Sequence, residues 1–252
     1  MIHTIQADFY RFFRSKGFWI TEFFFIITLL SGVLYGVMGN VGVHTDTKAL
    51  NALEKKSGWT GFEAITKTSG NFSNTIIFII IIVVLLIGID LTQKLYKNSI
   101  TSGISRTEFY LSKFFVLASL IVFQLILTYS AFIPATLING IGTAPKHFLS
   151  NFLIMIGVQF ICAFAWVSLV SFTLYATNSI IAAIFTYFVG ASLLGLPTTF
   201  YPDVDWLKYL NMQFYFDMVS KQDMVVKTIT IALLITLLFT FSGIQVFKRK
   251  DL

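Results

Sequence analysis

The chain has 252 residues, of which 56% are hydrophobic and only 12% charged, and its formal net charge is +6. Its mean hydropathy is +0.79, far above the values typical of water-soluble domains. This composition excludes a soluble enzyme and a soluble nucleic-acid-binding domain. It predicts an all-α polytopic membrane protein that forms one transmembrane domain, residues 1–252.

The first 17 residues predict an amphipathic helix that lies in the membrane interface. Drawn at about 100° per residue, one arc holds the apolar side chains Ile2, Ile5, Phe9, Phe12 and Phe13. Much of the opposite face is polar, with Thr4, Asp8, Arg11, Arg14 and Ser15. An apolar face backed by basic residues suits a helix at the lipid surface. An ordinary basic flank ahead of a span is the alternative.

Six apolar segments are each long enough to approach the roughly 20 residues that a helix needs to cross a bilayer. We predict spans at about residues 19–38, 72–89, 114–138, 149–175, 180–196 and 225–247. Glu22 and Asp90 are assigned to span ends, within reach of lipid headgroups. The span interiors are therefore expected to hold only neutral polar groups.

Small and polar residues inside the spans are candidates for helix packing or for a substrate path. Gly32 and Gly36 belong to a ridge of small residues in the first span, which allows close packing within one subunit or across a dimer seam. Gln124 and Gln159 lie in the third and fourth spans. We expect these two amides to hydrogen-bond each other; lining a substrate path is the alternative.

The distribution of Lys and Arg predicts the orientation. With six spans, both termini lie on one side, and that side carries ten of the 18 basic residues. Its net charge is about +5, against about +1 on the opposite side. Because basic loops stay in the cytoplasm, both termini are predicted to be cytoplasmic.

The polar segment after the second span predicts a structured elbow, residues 92–105. The second helix is expected to continue to about Lys97 and to break across residues 98–103. Ser105 and Glu108 have the spacing of a capping box that starts the next helix. A plain connection needs only about 2–6 residues, so we interpret the elbow as a docking surface; a simple connection is the alternative. The candidate docking residues are Leu95, Tyr96, Asn98, Ser99, Ile100, Ser105 and Arg106.

Two segments on the opposite side are also patterned. Residues 40–71 form a polar loop with helix-like patches at 49–56 and 62–67. Pro197 is expected to end the fifth span, and residues 198–221 mix aromatic and acidic side chains. This mixture predicts helices that dip into the outer leaflet, with aromatic anchoring at the interface as the alternative.

Motifs for catalysis are absent from the sequence. It has no GxxxxGK[ST] phosphate loop, no HExxH and no serine–histidine–aspartate arrangement, so it predicts no enzyme and no ATP hydrolysis by this chain. Its three histidines are scattered, and Cys162 is its single cysteine. No metal site or internal disulfide is expected.

Taken with the interfacial helix, the spans and the elbow, several short motifs give the chain a resemblance to the permease subunit of type-2 ABC exporters. Residues 103–113 (GISRTEFYLSK) are similar to the family's Ser-Arg pattern, followed by Lys, before the third span. Asp90 stands where the family often has an acidic residue, and the ending FKRKDL is similar as well. Residues 209–211 (YLN) resemble a stretch before the last span, although Met212 replaces the frequent proline.

This resemblance implies a bacterial plasma-membrane exporter subunit that binds no cofactor itself. Two permeases, identical or different, would form the pathway in the lipid bilayer, and two cytoplasmic ABC ATPase subunits would bind ATP and Mg. The interfacial helix and the elbow, with Arg106 at or near the contact, would transmit ATPase closure. The implied substrate is amphipathic, such as an antimicrobial peptide, bacteriocin or lantibiotic in self-immunity. The alternatives are an ion-coupled secondary transporter and a non-transporting immunity or sensor subunit.

Overall fold

The computed structural model describes residues 2–36, 58–201, 204 and 222–250, and every regular element within these ranges is a helix. The all-α prediction is confirmed. The helices are α1 (Ile2–Phe13), α2 (Lys16–Tyr35), α3 (Gly61–Gly70), α4 (Phe72–Val83), α5 (Ile89–Thr92), α6 (Tyr96–Thr101), α7 (Arg106–Tyr129), α8 (Phe132–Asn139), α9 (Phe148–Thr177), α10 (Ile180–Phe200) and α11 (Gln222–Arg249).

Five helical segments of the described chain are long and apolar enough to cross a membrane. They are Lys16–Tyr35, Phe72–Thr92, Arg106–Asn139, Phe148–Thr177 and Met224–Arg249, and they overlap all predicted spans except the fifth. The predicted fifth span lies in α10, whose shorter apolar part is Ile180–Leu193, so the count of six stays a prediction. We expected Pro197 to end this span, but α10 continues to Phe200. Proline lacks the N–H group and therefore removes one backbone hydrogen bond, but its φ angle is compatible with a helix. Membrane-spanning helices tolerate proline for this reason.

The second and third spans contain irregularities that hydrophobicity did not predict. A π-helical turn, Val84–Gly88, joins α4 to α5. In the third span, Ser130 and Ala131 separate α7 from α8, and Pro134 lies in the first turn of α8. The first turn is the helical position that best tolerates proline, because its amide would have no partner there.

The helix α9 is the centre of the bundle, where it packs against α4, α7, α10 and α11. Its side chains Trp166 and Tyr175 are fully buried. Because a helix that is apolar on all sides can pack against several neighbours, α9 provides the frame on which the second, third and last spans and α10 pack.

At the end of the bundle away from both termini, α3 packs against α2 and α8. A Cβ added to Gly32 would lie 2.6 Å from Cζ3 of Trp59, so Gly32 allows close packing within this chain. Gly36 caps α2 with φ 69°, a conformation that favours glycine. The structure thus gives both glycines roles inside one subunit. The helix-like patch predicted at 49–56 lies outside the described residues. So does most of the segment predicted to dip into the outer leaflet, namely residues 202–203 and 205–221.

The opposite end brings together α1, α6, the start of α7 and the end of α11, and we call it the terminal end. Lys113 of α7 contacts Asp8 of α1 there. Arg106, the first residue of α7, contacts the backbone at the end of α11. Every sequence-predicted coupling residue lies at this end.

Candidate functional site

Four charged side chains meet at the terminal end, and we call Asp8, Arg11, Asp90 and Lys113 the ionic cluster. The Nζ atom of Lys113 donates to Oδ1 of Asp8 and to Oδ2 of Asp90, both at 2.6 Å. Nη2 of Arg11 donates to Oδ2 of Asp90 at 2.7 Å and to Oδ1 of Asp8 at 3.3 Å. Lys113 is 1% exposed and Asp90 is 3% exposed.

The charges of the ionic cluster cancel, which makes its burial possible. An isolated buried charge is strongly destabilising, whereas a paired and hydrogen-bonded one is tolerated. Partial burial alone would lower the pKa of Arg11, but its hydrogen bond to Asp90 and the charges of Asp90 and Asp8 outweigh this and raise that pKa. The guanidinium therefore stays charged.

The ionic cluster connects three separate elements. Asp8 and Arg11 belong to α1, Asp90 to α5 just after the π-helical turn, and Lys113 to α7. A displacement of α1 must therefore move the ends of the second and third spans or break buried ion pairs. This linkage makes the ionic cluster the site where movement of the interfacial helix can reach the membrane-spanning helices.

The side chains of α1 face differently from the sequence prediction. Asp8, predicted on the polar face, is buried together with Phe12. The rings of Phe12 and Phe18 lie 4.8 Å apart, so α1 packs on the start of α2. Phe9 is half-buried, whereas Phe13 is 38% exposed. Arg14 is exposed and donates to the hydroxyl of Tyr10 of its own helix.

The elbow has two well-defined ends. Lys94, with φ 56°, follows α5, and the amides of Lys94 and Leu95 donate to the carbonyls of Leu91 and Asp90 at 3.2 and 2.9 Å. These are the two bonds of a Schellman motif. The second helix therefore ends at Thr92 rather than near Lys97, because the backbone reverses at Lys94. The break expected at residues 98–103 is instead mostly the helix α6.

Gly103, with φ 96°, ends α6 in the same way, as the amide of Ile104 donates to the carbonyl of Ser99 at 3.2 Å. Within α6 the candidate docking residues divide by exposure. Tyr96 is buried, with its ring 5.7 Å from that of Phe247, while Asn98 is exposed. Ser99 and Ile100 are half-buried, as is Leu95, which directly precedes α6.

Arg106 binds the end of α11. Its Nη1 donates to the carbonyl oxygens of Phe247 at 3.2 Å, of Lys248 at 2.6 Å and of Lys250. The last carbonyls of a helix have no partner within the helix, and the guanidinium supplies one. Ser105 caps α7 by accepting from the amide of Glu108 at 3.2 Å. Sequence analysis did not predict this contact between Arg106 and the C-terminal segment.

The two candidate glutamines do not contact each other as we expected. Nε2 of Gln124 donates to Oε1 of Glu22 at 2.7 Å, and Gln159 accepts from the hydroxyl of Tyr129. Glu22 and Asp90, which we placed near headgroups, are both buried. The expectation that only neutral polar residues are buried in the spans is therefore wrong. Both carboxyl groups have hydrogen-bond partners on other helices, which makes their burial possible.

The chain matches a known protein family. A profile of ABC-2 family transporter proteins matches residues 4–192, well over half of the chain. The chain belongs to this family. A search of curated proteins gave no match.

Membership in the ABC-2 transporter family identifies the chain as a multi-pass membrane component of a transporter, a generally non-catalytic role. The matched residues include most of α1, the elbow and all four members of the ionic cluster. Three sequence signals of the cluster were available: the i, i+3 spacing of Asp8 and Arg11, the acidic residue at the family-like position, Asp90, and the lysine of the family-like motif, Lys113. Nothing in the sequence showed that they would meet.

Replacing Arg106 with glutamine should loosen the end of α11 in this ABC-2 chain. Three carbonyls lose a charged donor, and a cation at a helix C-terminus is worth about 0.3–1 kcal/mol. Hydrogen–deuterium exchange should rise at the last turn of α11 and stay unchanged in α9. Arg249→Gln controls for the loss of a positive charge at the same helix end, since Arg249 is exposed and also lies in the last turn of α11. Equal exchange in the two variants would show that Arg106 does not hold the C-terminal segment.

Proposed function

We propose that this chain is the membrane-spanning permease of an ATP-driven exporter in the bacterial plasma membrane. It forms the pathway with a second permease, identical or different, and two separate ABC ATPase subunits supply energy from ATP and Mg. Membership in the ABC-2 transporter family supports the transport role. The absence of a phosphate-binding loop from the sequence supports a separate ATPase.

The terminal end faces the cytoplasm in this proposal. Basic side chains are concentrated in the short segments at this end, and Arg14, Lys94, Lys248 and Arg249 are exposed there. Positively charged loops are retained on the cytoplasmic side. ATPase subunits would then meet α1, the elbow and the C-terminal segment.

The observation that carries the coupling mechanism is the ionic cluster. The ATPases contact α1 and the exposed part of α6, and their closure displaces α1. Since Asp8 and Arg11 are joined to Asp90 and Lys113, the second and third spans follow. The ATPase dimer drives this change by binding one membrane conformation more tightly than the other, because only differential affinity shifts a conformational equilibrium.

The proposed substrate is an amphipathic molecule, such as an antimicrobial peptide, a bacteriocin or a lipid-like compound. An apolar recess lies between α2, α7 and α8, and its lining includes Ile26, Leu29, Val33, Leu127 and Pro134. Such a surface suits the apolar face of a substrate that enters from the lipid. Export of such a peptide would serve self-immunity or secretion.

Site-specific crosslinking tests the ATPase contact. In a Cys162→Ala background, Asn98→Cys places a thiol on the exposed side of α6, and Thr143→Cys places one in the exposed loop between α8 and α9 at the far end. We expect the ABC ATPase encoded near this chain to copurify with it and to crosslink through position 98 alone. Failure of every candidate ATPase to copurify, or equal crosslinking at both positions, would contradict the proposal.

A further inference from the structure

A carboxyl group and an amide face each other inside the membrane-spanning bundle, well away from the ionic cluster. Glu22 of α2 is 3% exposed and Gln124 of α7 is fully buried. Gln124 lies 11 residues after Lys113, about three helical turns or roughly 16 Å along α7. Nε2 of Gln124 donates to Oε1 of Glu22 at 2.7 Å.

The remaining oxygens of this pair are unsatisfied if the carboxyl is ionised. Oε2 of Glu22 and Oε1 of Gln124 are both buried without a hydrogen-bond partner among the described residues. An ionised carboxylate and an amide oxygen can only accept, so neither can satisfy the other. A buried polar atom without a partner destabilises the fold, and a buried unpaired charge does so far more.

One added proton gives both unsatisfied oxygens a hydrogen-bond partner. A protonated carboxyl carries an O–H donor, and Oε2–H of Glu22 can donate to Oε1 of Gln124 while Nε2 of Gln124 donates to Oε1 of Glu22. The acid and the amide then form a ring of two hydrogen bonds and bear no net charge. In a bilayer-spanning segment, this neutral form avoids the cost of an ionised group.

No cation of the described chain pairs with Glu22. Besides α7, which supplies Gln124, the helices packed on α2 are α1, α3, α4 and α8, and neither α4 nor α8 has an ionisable side chain. Asp8 and Arg11 of α1 and Lys113 of α7 are engaged in the ionic cluster. The other ionisable residues of α1, α3 and α7 are His3, Tyr10, Glu63, Lys67, Arg106, Glu108, Tyr110 and Tyr129, and none of these makes a hydrogen bond or ion pair with Glu22.

We propose that Glu22 and Gln124 form a proton-binding site within the membrane domain, with a proton from water as its ligand. The site holds the proton while α2 and α7 are packed together. Separation of the two helices admits water, the carboxyl ionises, and the proton leaves to the solvent; repacking takes one back. Since the packed form binds one more proton, low pH favours the packed form and high pH favours the separated form. This site does not depend on an ATPase partner.

Infrared spectroscopy of the purified chain with ¹³C-labelled glutamate tests the site directly. The sequence has four glutamates, so the label reports few groups, and single replacements assign each band to its residue. We expect one protonated-carboxyl band at pH 7 that disappears in Glu22→Gln and persists in the controls Glu63→Gln and Glu108→Gln. A spectrum with carboxylate bands alone would overturn the proposal.

A second variant keeps the proposal testable if Glu22→Gln does not fold. In Gln124→Leu the carboxyl loses its amide partner, so the protonated band should shift to higher frequency. A band at the unchanged frequency would exclude the acid–amide pair.

Where Glu22→Gln does fold, its amide reproduces both hydrogen bonds, and we expect thermal unfolding that no longer depends on pH through this group. A pH dependence equal to that of the unmodified chain would contradict the proposal.

Discussion

Replacing Lys113 with methionine should destabilise the protein by about 3–5 kcal/mol, the usual cost of removing one partner from a buried ion pair. Methionine keeps a similar length without the charge. Asp8 and Asp90 would then face each other with Arg11 alone, which is 47% exposed and contacts Asp8 only at 3.3 Å. We expect a large fall in the unfolding midpoint in detergent, or failure to accumulate in the membrane.

Lys146→Met is the matched control, because Lys146 is exposed in the loop between α8 and α9. It should unfold like the unmodified chain. Adding Asp8→Asn to Lys113→Met removes one of the two acids that repel each other, so it should recover part of the lost stability. If Lys113→Met and Lys146→Met unfold alike, the ionic cluster does not stabilise the fold.

Replacing Arg11 with glutamine should lower ATP-driven transport on the order of fivefold while ATP hydrolysis by the partner continues. The bond from Arg11 to Asp90 spans α1 and α5, and a half-exposed charge-assisted bond of this kind is worth about 1 kcal/mol. Each 1.4 kcal/mol corresponds to about a tenfold change in an equilibrium. Loss of this bond thus weakens the link between α1 and the second span, measured as transport per ATP hydrolysed in vesicles.

Arg14→Gln controls for the loss of a positive charge from the same helix. Arg14 is exposed and bonds within α1 to Tyr10, so its replacement should leave transport per ATP unchanged. Equal losses in the two variants would attribute the effect to the charge of α1 at the membrane surface. In that case the contact with Asp90 would not transmit movement.

Hydrophobicity predicted the helices well because a bilayer leaves a long apolar segment few alternatives to a helix. The predicted segments 72–89 and 149–175 fall inside observed helical stretches of similar length. Local signals were also readable where the contact is local, as with Ser105, which caps α7. The short motifs near Asp90 and Arg106, together with the overall pattern, predicted a resemblance to this family, and the profile match confirms the ABC-2 family.

The contacts between distant helices could not be read from the sequence. The helical arc shows which residues of α1 share a face, and on that basis Asp8 was assigned to the solvent side. The arc does not show that Lys113, 105 residues later, contacts that face. The same limit placed Glu22 at a headgroup and paired Gln124 with the wrong glutamine. The π-helical turn before Asp90 lies inside a continuous apolar run, and hydrophobicity does not distinguish an α-helical turn from a π-helical one.

Reconstitution in vesicles tests the central claim, that this chain provides a path and a partner provides the energy. The chain is placed in lipid vesicles with and without its ABC ATPase, terminal end outward, and accumulation of a fluorescent cationic amphipathic peptide is followed. We predict accumulation inside the vesicles only when the ATPase, ATP and Mg are all present. Accumulation against a gradient by the chain alone, or none with the complete assembly, would contradict the account.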